Sequence, residues 1–233
     1  MENPMQKLFV EHLSKQYSAR KTVIHDMNEV FTPGTWTGLV GPNGSGKTTF
    51  LRLISLNSYP TSGQIRYGDL DIHQKPGRYL QHVGIVHDEE SLPGELSAVE
   101  LIRWVLTSRN QWTENSEDAI RERFDRLQLD EQREERIKTY STGMKKKVQI
   151  AAAFSVNPKI LILDEPLRGL DRASREEVLR MIRESANRGA IVLMASHLFT
   201  EGELQADRIL HFPVAGVQER AQAELQSEPP AMP

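Results

Sequence analysis

Two uninterrupted apolar runs, Ile160-Leu161-Ile162-Leu163 and Ile191-Val192-Leu193-Met194, dominate the hydrophobic pattern. An apolar run without alternation predicts a strand buried on both faces, as in the middle of a parallel sheet. Between the two, residues 173–186 place Val178, Leu179 and Ile182 at helical spacing. Strand, helix and strand in that order predict an α/β core that holds its ligand at the carboxyl ends of the strands. Further core strands are predicted at Trp36-Thr37-Gly38-Leu39-Val40 and at residues 83–86. Residues 8–10 and 23–31 predict an N-terminal β-lobe, with Pro33-Gly34 as a turn. The loop Pro60-Thr61-Ser62-Gly63 precedes a short strand at 64–67.

From about residue 95 to 157 the period changes to that of helices. Ser97 and Glu100 form a capping box ahead of Leu101, Ile102, Val105 and Leu106. Asn115 or Ser116 can cap a second helix with Ile120, Phe124 and Leu127 on one face. A third helix begins near Ser141 and carries Met144, Val148 and the stretch Ile150 to Phe154. This block lies between two core strands, so it predicts an inserted helical subdomain. The polar stretch from 218 to 233, with prolines at 229, 230 and 233, predicts a frayed helix followed by disorder.

Composition narrows the function. At 233 residues the chain can form one large domain with a sizeable core. A net charge of −3 gives no nucleic-acid footprint. Absence of cysteine removes disulfides and thiolate metal sites and fits a reducing compartment. The segment Met1-Glu2-Asn3-Pro4 has no apolar signal-peptide core, and no apolar run is long enough for a bilayer. A membrane association would therefore come through a partner.

The sequence Gly41-Pro42-Asn43-Gly44-Ser45-Gly46-Lys47-Thr48 fits the P-loop pattern. A predicted strand precedes it and a predicted helix, opening at Thr49, follows. Its glycines let backbone N–H groups turn inward into an anion cradle, and the helix N-terminus adds partial positive charge. In such a loop Lys47 reaches the β- and γ-phosphates and Thr48 ligates Mg²⁺. Gly41 to Thr49 are thus the nucleotide-binding candidates. Asp164 and Glu165 end the first apolar strand, where a carboxylate faces the P-loop. Asp164 is placed to hold Mg²⁺ and Glu165 to polarise the attacking water. The expected fold is α/β: a P-loop NTPase core with a parallel central sheet, an N-terminal antiparallel β-lobe and the inserted helical subdomain. It forms one nucleotide-binding domain over residues 1–233.

From residue 8 to 212 the chain resembles the nucleotide-binding subunit of an ABC (ATP-binding cassette) transporter. The most diagnostic segment is Tyr140-Ser141-Thr142-Gly143-Met144, which is similar to the family's Leu-Ser-Gly-Gly-Gln signature. The resemblance implies that Ser141 and Gly143 face the P-loop of a second subunit, with two ATP molecules sandwiched in a head-to-tail dimer. It places Tyr17 against adenine, Asp171 in the D-loop between subunits, and His197 at the γ-phosphate as the switch histidine. The catalytic candidates are then Glu165, His197 and Lys47. Lys145, Lys146 and Lys147 oppose the macrodipole of the helix they enter. An anionic partner across an interface or a solvated basic face would account for them.

The chain departs from the family at several positions. Asp88 stands where the family has the Q-loop glutamine, a ligand of Mg²⁺; an aspartate can still ligate the metal but cannot donate a hydrogen bond. Thr142 replaces a glycine, Met144 a glutamine and Leu167 a threonine. The metal candidates are Thr48, Asp88 and Asp164. The resemblance implies an ATPase with ATP and Mg²⁺ as cofactors. Its expected partners are a separate integral membrane permease and a second cassette, most simply a copy of itself. It would sit on the cytoplasmic face of the membrane, and its helical lobe and signature are closer to exporter-type cassettes than to nutrient importers. Two alternatives stay open: a soluble ABC-type ATPase, or an ATP-dependent dimerisation switch with weak hydrolysis. A P-loop small-molecule kinase would leave the 140–144 segment and His197 without a role.

Overall fold

The computed structural model describes residues 6–18, 21–197 and 205–213. The segment 218–233, expected to fray, lies outside the described residues.

The chain opens with β1 (Leu8–Ser18), β2 (Lys21–Phe31) and β3 (Trp36–Val40), followed by α1 (Lys47–Ile54). Then come β4 (Ser62–Tyr67), β5 (Leu70–Asp71), α2 (Pro76–Leu80) and β6 (Val83–Val86). The helical insertion holds α3 (Ala98–Ser108), α4 (Ser116–Arg126) and α5 (Thr142–Ser155). The core closes with β7 (Ile160–Asp164), α6 (Arg172–Asn187), β8 (Ile191–Ala195) and β9 (Arg208–His211).

Two sheets result. One is antiparallel, in the order β2-β1-β4-β5, and forms the N-terminal lobe. The other is parallel, in the order β6-β7-β8-β3-β9. The P-loop strand β3 therefore lies between two strands from the far end of the chain, with Thr37 opposite both Leu193 and Arg208.

The continuous apolar runs serve two cores at once. Side chains alternate across a strand, so Ile160 and Ile162 face one core while Leu161 and Leu163 face the other. In β8, Ile191 and Leu193 divide from Val192 and Met194 in the same way. One core joins the parallel sheet to α1 and the β-lobe, through Phe50, Leu53 and Phe31. The second joins it to α6 and the helical insertion, through Val178, Ile102, Phe124 and Val148.

The capping box of α3 forms as expected: Ser97 Oγ accepts from Glu100 N at 3.2 Å, and Glu100 Oε2 accepts from Ser97 N at 2.8 Å. The cap expected for α4 does not form. Asn115 occupies the N-cap position without a side-chain bond, and Ser116 Oγ instead accepts from Thr113 N at 2.8 Å, inside the preceding turn. Burial of Ile120 and Phe124 is what holds that helix in place.

Candidate nucleotide site

The site is built where β3 and β7 end side by side. Chain direction reverses into α1 through the P-loop, and its geometry demands glycine. Gly41 has φ +147°, and a Cβ there would lie 2.2 Å from the Phe212 carbonyl oxygen. Gly44 has φ +80°, and nothing lies within 4 Å of the Cβ it lacks, so the loop faces open space. No side chain caps α1, whose N-cap is Gly46 and whose first turn has no acidic residue. Ser45 Oγ is buried without a hydrogen-bond partner. Uncapped helix N–H groups, an orphaned hydroxyl and an open loop mouth fit a phosphate group. Lys47 Nζ spans the same mouth, donating to the carbonyls of Gly41 at 2.7 Å and Pro42 at 3.0 Å.

Thr48 Oγ1 donates to Asp164 Oδ1 at 3.3 Å, which joins the P-loop to the end of β7. Asp164 is 6% exposed. Burial, reinforced by the nearby charges of Asp88 and Glu165 and opposed by the Thr48 hydrogen bond, pushes its carboxyl up to about 6. A carboxylate and a hydroxyl held together this way fit a hard divalent cation that also carries phosphate oxygens.

Glu165 follows with φ +49°, a left-handed conformation seldom adopted by residues with a side chain. Its N–H is fixed by the Ala195 carbonyl at 2.9 Å. Its carboxylate then turns toward His197: Oε1 accepts from the His197 N–H at 3.0 Å, and Oε2 lies 2.8 Å from His197 Nδ1. Ser196 Oγ adds a donor to Oε2 at 3.3 Å. The two residues, far apart in sequence, are thus one unit.

A cleft of about 370 Å³ opens in front of these groups. Tyr17, Asn43, Gly44, Ser45, Gly46, Lys47, Thr48, Thr49, Asp88, Glu165 and His197 line it. Gly41 and Pro42 contribute through their carbonyls to Lys47. Tyr17 stands 53% exposed at the rim of the cleft, with Lys15 Nζ over its ring at 5.0 Å from the centroid. Val23 and Arg168 also line the cleft, and the sequence did not single them out. Arg168 binds Asp88, Nη1 to Oδ1 at 2.7 Å. The candidate metal ligand Asp88 is thus engaged by a guanidinium.

Ser141, Gly143 and Asp171 do not line the cleft. They form a second cluster at the start of α5 and α6. Ser141 Oγ caps α5 by accepting from Met144 N at 3.2 Å. Asp171 caps α6 by accepting from Ser174 N at 2.8 Å. Gly143 packs so closely on the loop before α6 that a Cβ would lie 2.7 Å from the Gly169 oxygen. Two lysines of the basic triplet are corrected here. Lys146 is fully buried and pairs with Glu90 at 3.0 Å, and Lys147 lies 3.6 Å from Asp171. Carboxylates of the same chain account for both, rather than an external anion or a solvated face.

Fold and cleft together define a P-loop nucleotide-binding protein. The family model described as ABC transporter matches residues 24–168, well over half of the chain. The chain belongs to the ABC transporter family and carries its ATP-binding cassette. It is 32% identical over 202 residues to the linearmycin resistance ATP-binding protein LnrL of Bacillus subtilis (strain 168), covering 87% of this chain and 65% of that one. The chain thus spans about two thirds of that relative's length. A solved structure of an ATP-binding subunit of an ABC transporter superposes with TM-score 0.82 at 25% identity, covering 95% of each chain. The dimeric structure of MJ0796, a bacterial ABC transporter cassette, shares the fold with TM-score 0.78 at 21% identity, covering 88% of this chain and 94% of that one. Among the described residues no helix is long and apolar enough to cross a membrane.

Proposed function

We propose that this chain binds ATP with Mg²⁺, hydrolyses it, and powers a separate membrane permease as one half of a head-to-tail cassette dimer. The observation that carries this is the convergence of Lys47, the Thr48–Asp164 pair and the Glu165–His197 unit on one cleft. The P-loop N–H groups and Lys47 hold the β- and γ-phosphates, and Tyr17 offers its face to the base. Thr48 and Asp164 hold Mg²⁺, which when bound neutralises charge on the phosphates. Glu165 accepts a proton from the attacking water, and His197 fixes the orientation of that carboxylate and reaches the terminal phosphate. Ser141, Gly143 and Asp171 lie away from the cleft of their own chain, which suits a surface offered to a second cassette. The helical insertion is the part we assign to the permease. Similarity to a resistance protein, with the signature variant at 140–144, supports export as the direction.

A switch with little hydrolysis is the second reading, favoured by the Asp88–Arg168 pair beside the metal position. Both are tested by Mg²⁺-dependent ATPase activity measured against protein concentration, with Glu165→Gln as control. A motor gives activity that rises faster than linearly, and the variant binds ATP, dimerises and does not turn over. ATP binding with only background turnover at every concentration selects the switch. Normal hydrolysis by Glu165→Gln would remove Glu165 from its role.

A further inference from the structure

One cation in the cleft, Arg168, has no task in the phosphate binding assigned to Lys47 and the P-loop. It sits three residues after Glu165, its N–H donating to the Glu165 carbonyl at 3.3 Å, so the two side chains leave one tight turn. Its guanidinium binds Asp88 through the side chain at 2.7 Å and through the carbonyl at 2.7 Å, and reaches Glu90 Oε1 at 3.3 Å.

These partners are not equally dependent on it. Glu90 is 13% exposed in its side chain and already has the buried Lys146 ammonium at 3.0 Å. Lys146 also ties the carbonyls of His87 at 2.6 Å and Asp88 at 3.0 Å, so this loop is anchored to α5 without Arg168. Asp88, by contrast, has Arg168 as its ion-pair partner among the described residues, and the two side chains are 39% and 42% exposed. A half-exposed pair of this kind is weak and readily exchanged. A guanidinium fork fits phosphate oxygens as well as it fits a carboxylate.

We infer that Arg168 determines specificity for the triphosphate: it exchanges Asp88 for the terminal phosphate of a bound nucleoside triphosphate, and a diphosphate held by the P-loop does not trigger the exchange. This rests on the nucleotide-binding function proposed above. The same exchange frees Asp88, whose charge already acts on Asp164, to face the cation held by Thr48 and Asp164. Asp88 in the Q-loop position and an arginine after Leu167 then form one device: each ion in the resting pair gains a new counter-ion when the triphosphate binds.

The test is calorimetric binding of ATP and of ADP in EDTA, where no turnover occurs. The wild type, Arg168→Gln, Arg168→Lys and Asp88→Asn are compared after melting curves confirm that each is folded. Arg168→Gln is expected to weaken ATP about tenfold and ADP less than about twofold. Arg168→Lys should keep part of the preference. Asp88→Asn, which releases the guanidinium, should tighten ATP by about threefold or more and leave ADP unchanged. A merely structural arginine would move both nucleotides together or neither, and either result overturns the inference. If Arg168→Gln does not fold, Asp88→Asn decides alone, and an unchanged ATP-to-ADP ratio there overturns it. A wild type that binds neither nucleotide overturns the nucleotide-binding function itself, a different failure from a bound but unselective cleft.

Discussion

Asp164 shows what single residues cost and supply at this site. Its carboxyl is raised from 3.8 to about 6, chiefly by burial. Between those values the folded chain binds a proton that the unfolded chain has released. Stability therefore falls as pH rises from about 4 to about 6 and stays reduced above that. Asp164→Asn should raise the melting temperature of the nucleotide-free protein at pH 7.5 in EDTA, by about 1–2 kcal/mol of stability. The gain should shrink as pH is lowered through 6, and a gain independent of pH would contradict the assignment. The meeting of Lys47, Thr48, Asp164 and Glu165 was legible because each pair belongs to a short contiguous motif at the end of a predicted core strand. Arg168 and the places of Lys146 and Lys147 were not. Their partners, Asp88, Glu90 and Asp171, lie in other loops, and only the fold brings them together.

At the scale of elements, four of the five strands of the parallel sheet were legible from hydrophobic period, β9 being the exception, and the box at Ser97 and Glu100 located the start of α3. The start of α4 was located at Asn115 or Ser116, but no side-chain bond caps it, because the Ser116 hydroxyl satisfies the turn before the helix. The full length of the first strand was also hidden. From Leu8 to Ser18 it bends through a left-handed residue, His12, with φ +50°, and its register against β2 shifts. Close packing leaves no sequence signal either. Gly84 in β6 lies so near α5 that a Cβ would sit 2.3 Å from the Ala153 carbonyl oxygen, a contact with rigid helix backbone. Gly84→Ala should force α5 away from the sheet and cost about 1–3 kcal/mol, read as a lower urea midpoint. An unchanged midpoint would mean that the helix can shift freely.

Over the whole molecule, the helical insertion is joined to the core by Arg126 at the end of α4, which reaches α6 at Glu177 (2.5 Å) and Glu184 (2.9 Å). The Glu177 side chain is 11% exposed, and without Arg126 its remaining counter-ion is Arg180, 2.7 Å away on the same helix. Arg126→Ala should destabilise by about 1–3 kcal/mol, less than a fully buried pair because Arg126 and Glu184 keep contact with water. Denaturation followed by Trp fluorescence measures it, and a change below about 0.5 kcal/mol would show that the shared apolar core alone binds the insertion. The fold class was legible because the alternation of elements dictates it. The order of the parallel sheet was not, since it depends on which strands meet late in the chain. One such meeting borders the P-loop: Gly41 rests on the carbonyl of Phe212, whose N–H donates to the Val40 carbonyl at 2.7 Å and whose ring lies tilted against Phe50 with centroids 5.6 Å apart. On the ribosome, the entire Gly41-to-Thr48 motif emerges long before the wall that shapes it. The motif therefore meets that wall only once residue 212 has itself left the ribosome, so this packing of the P-loop is completed late, as the chain is finished.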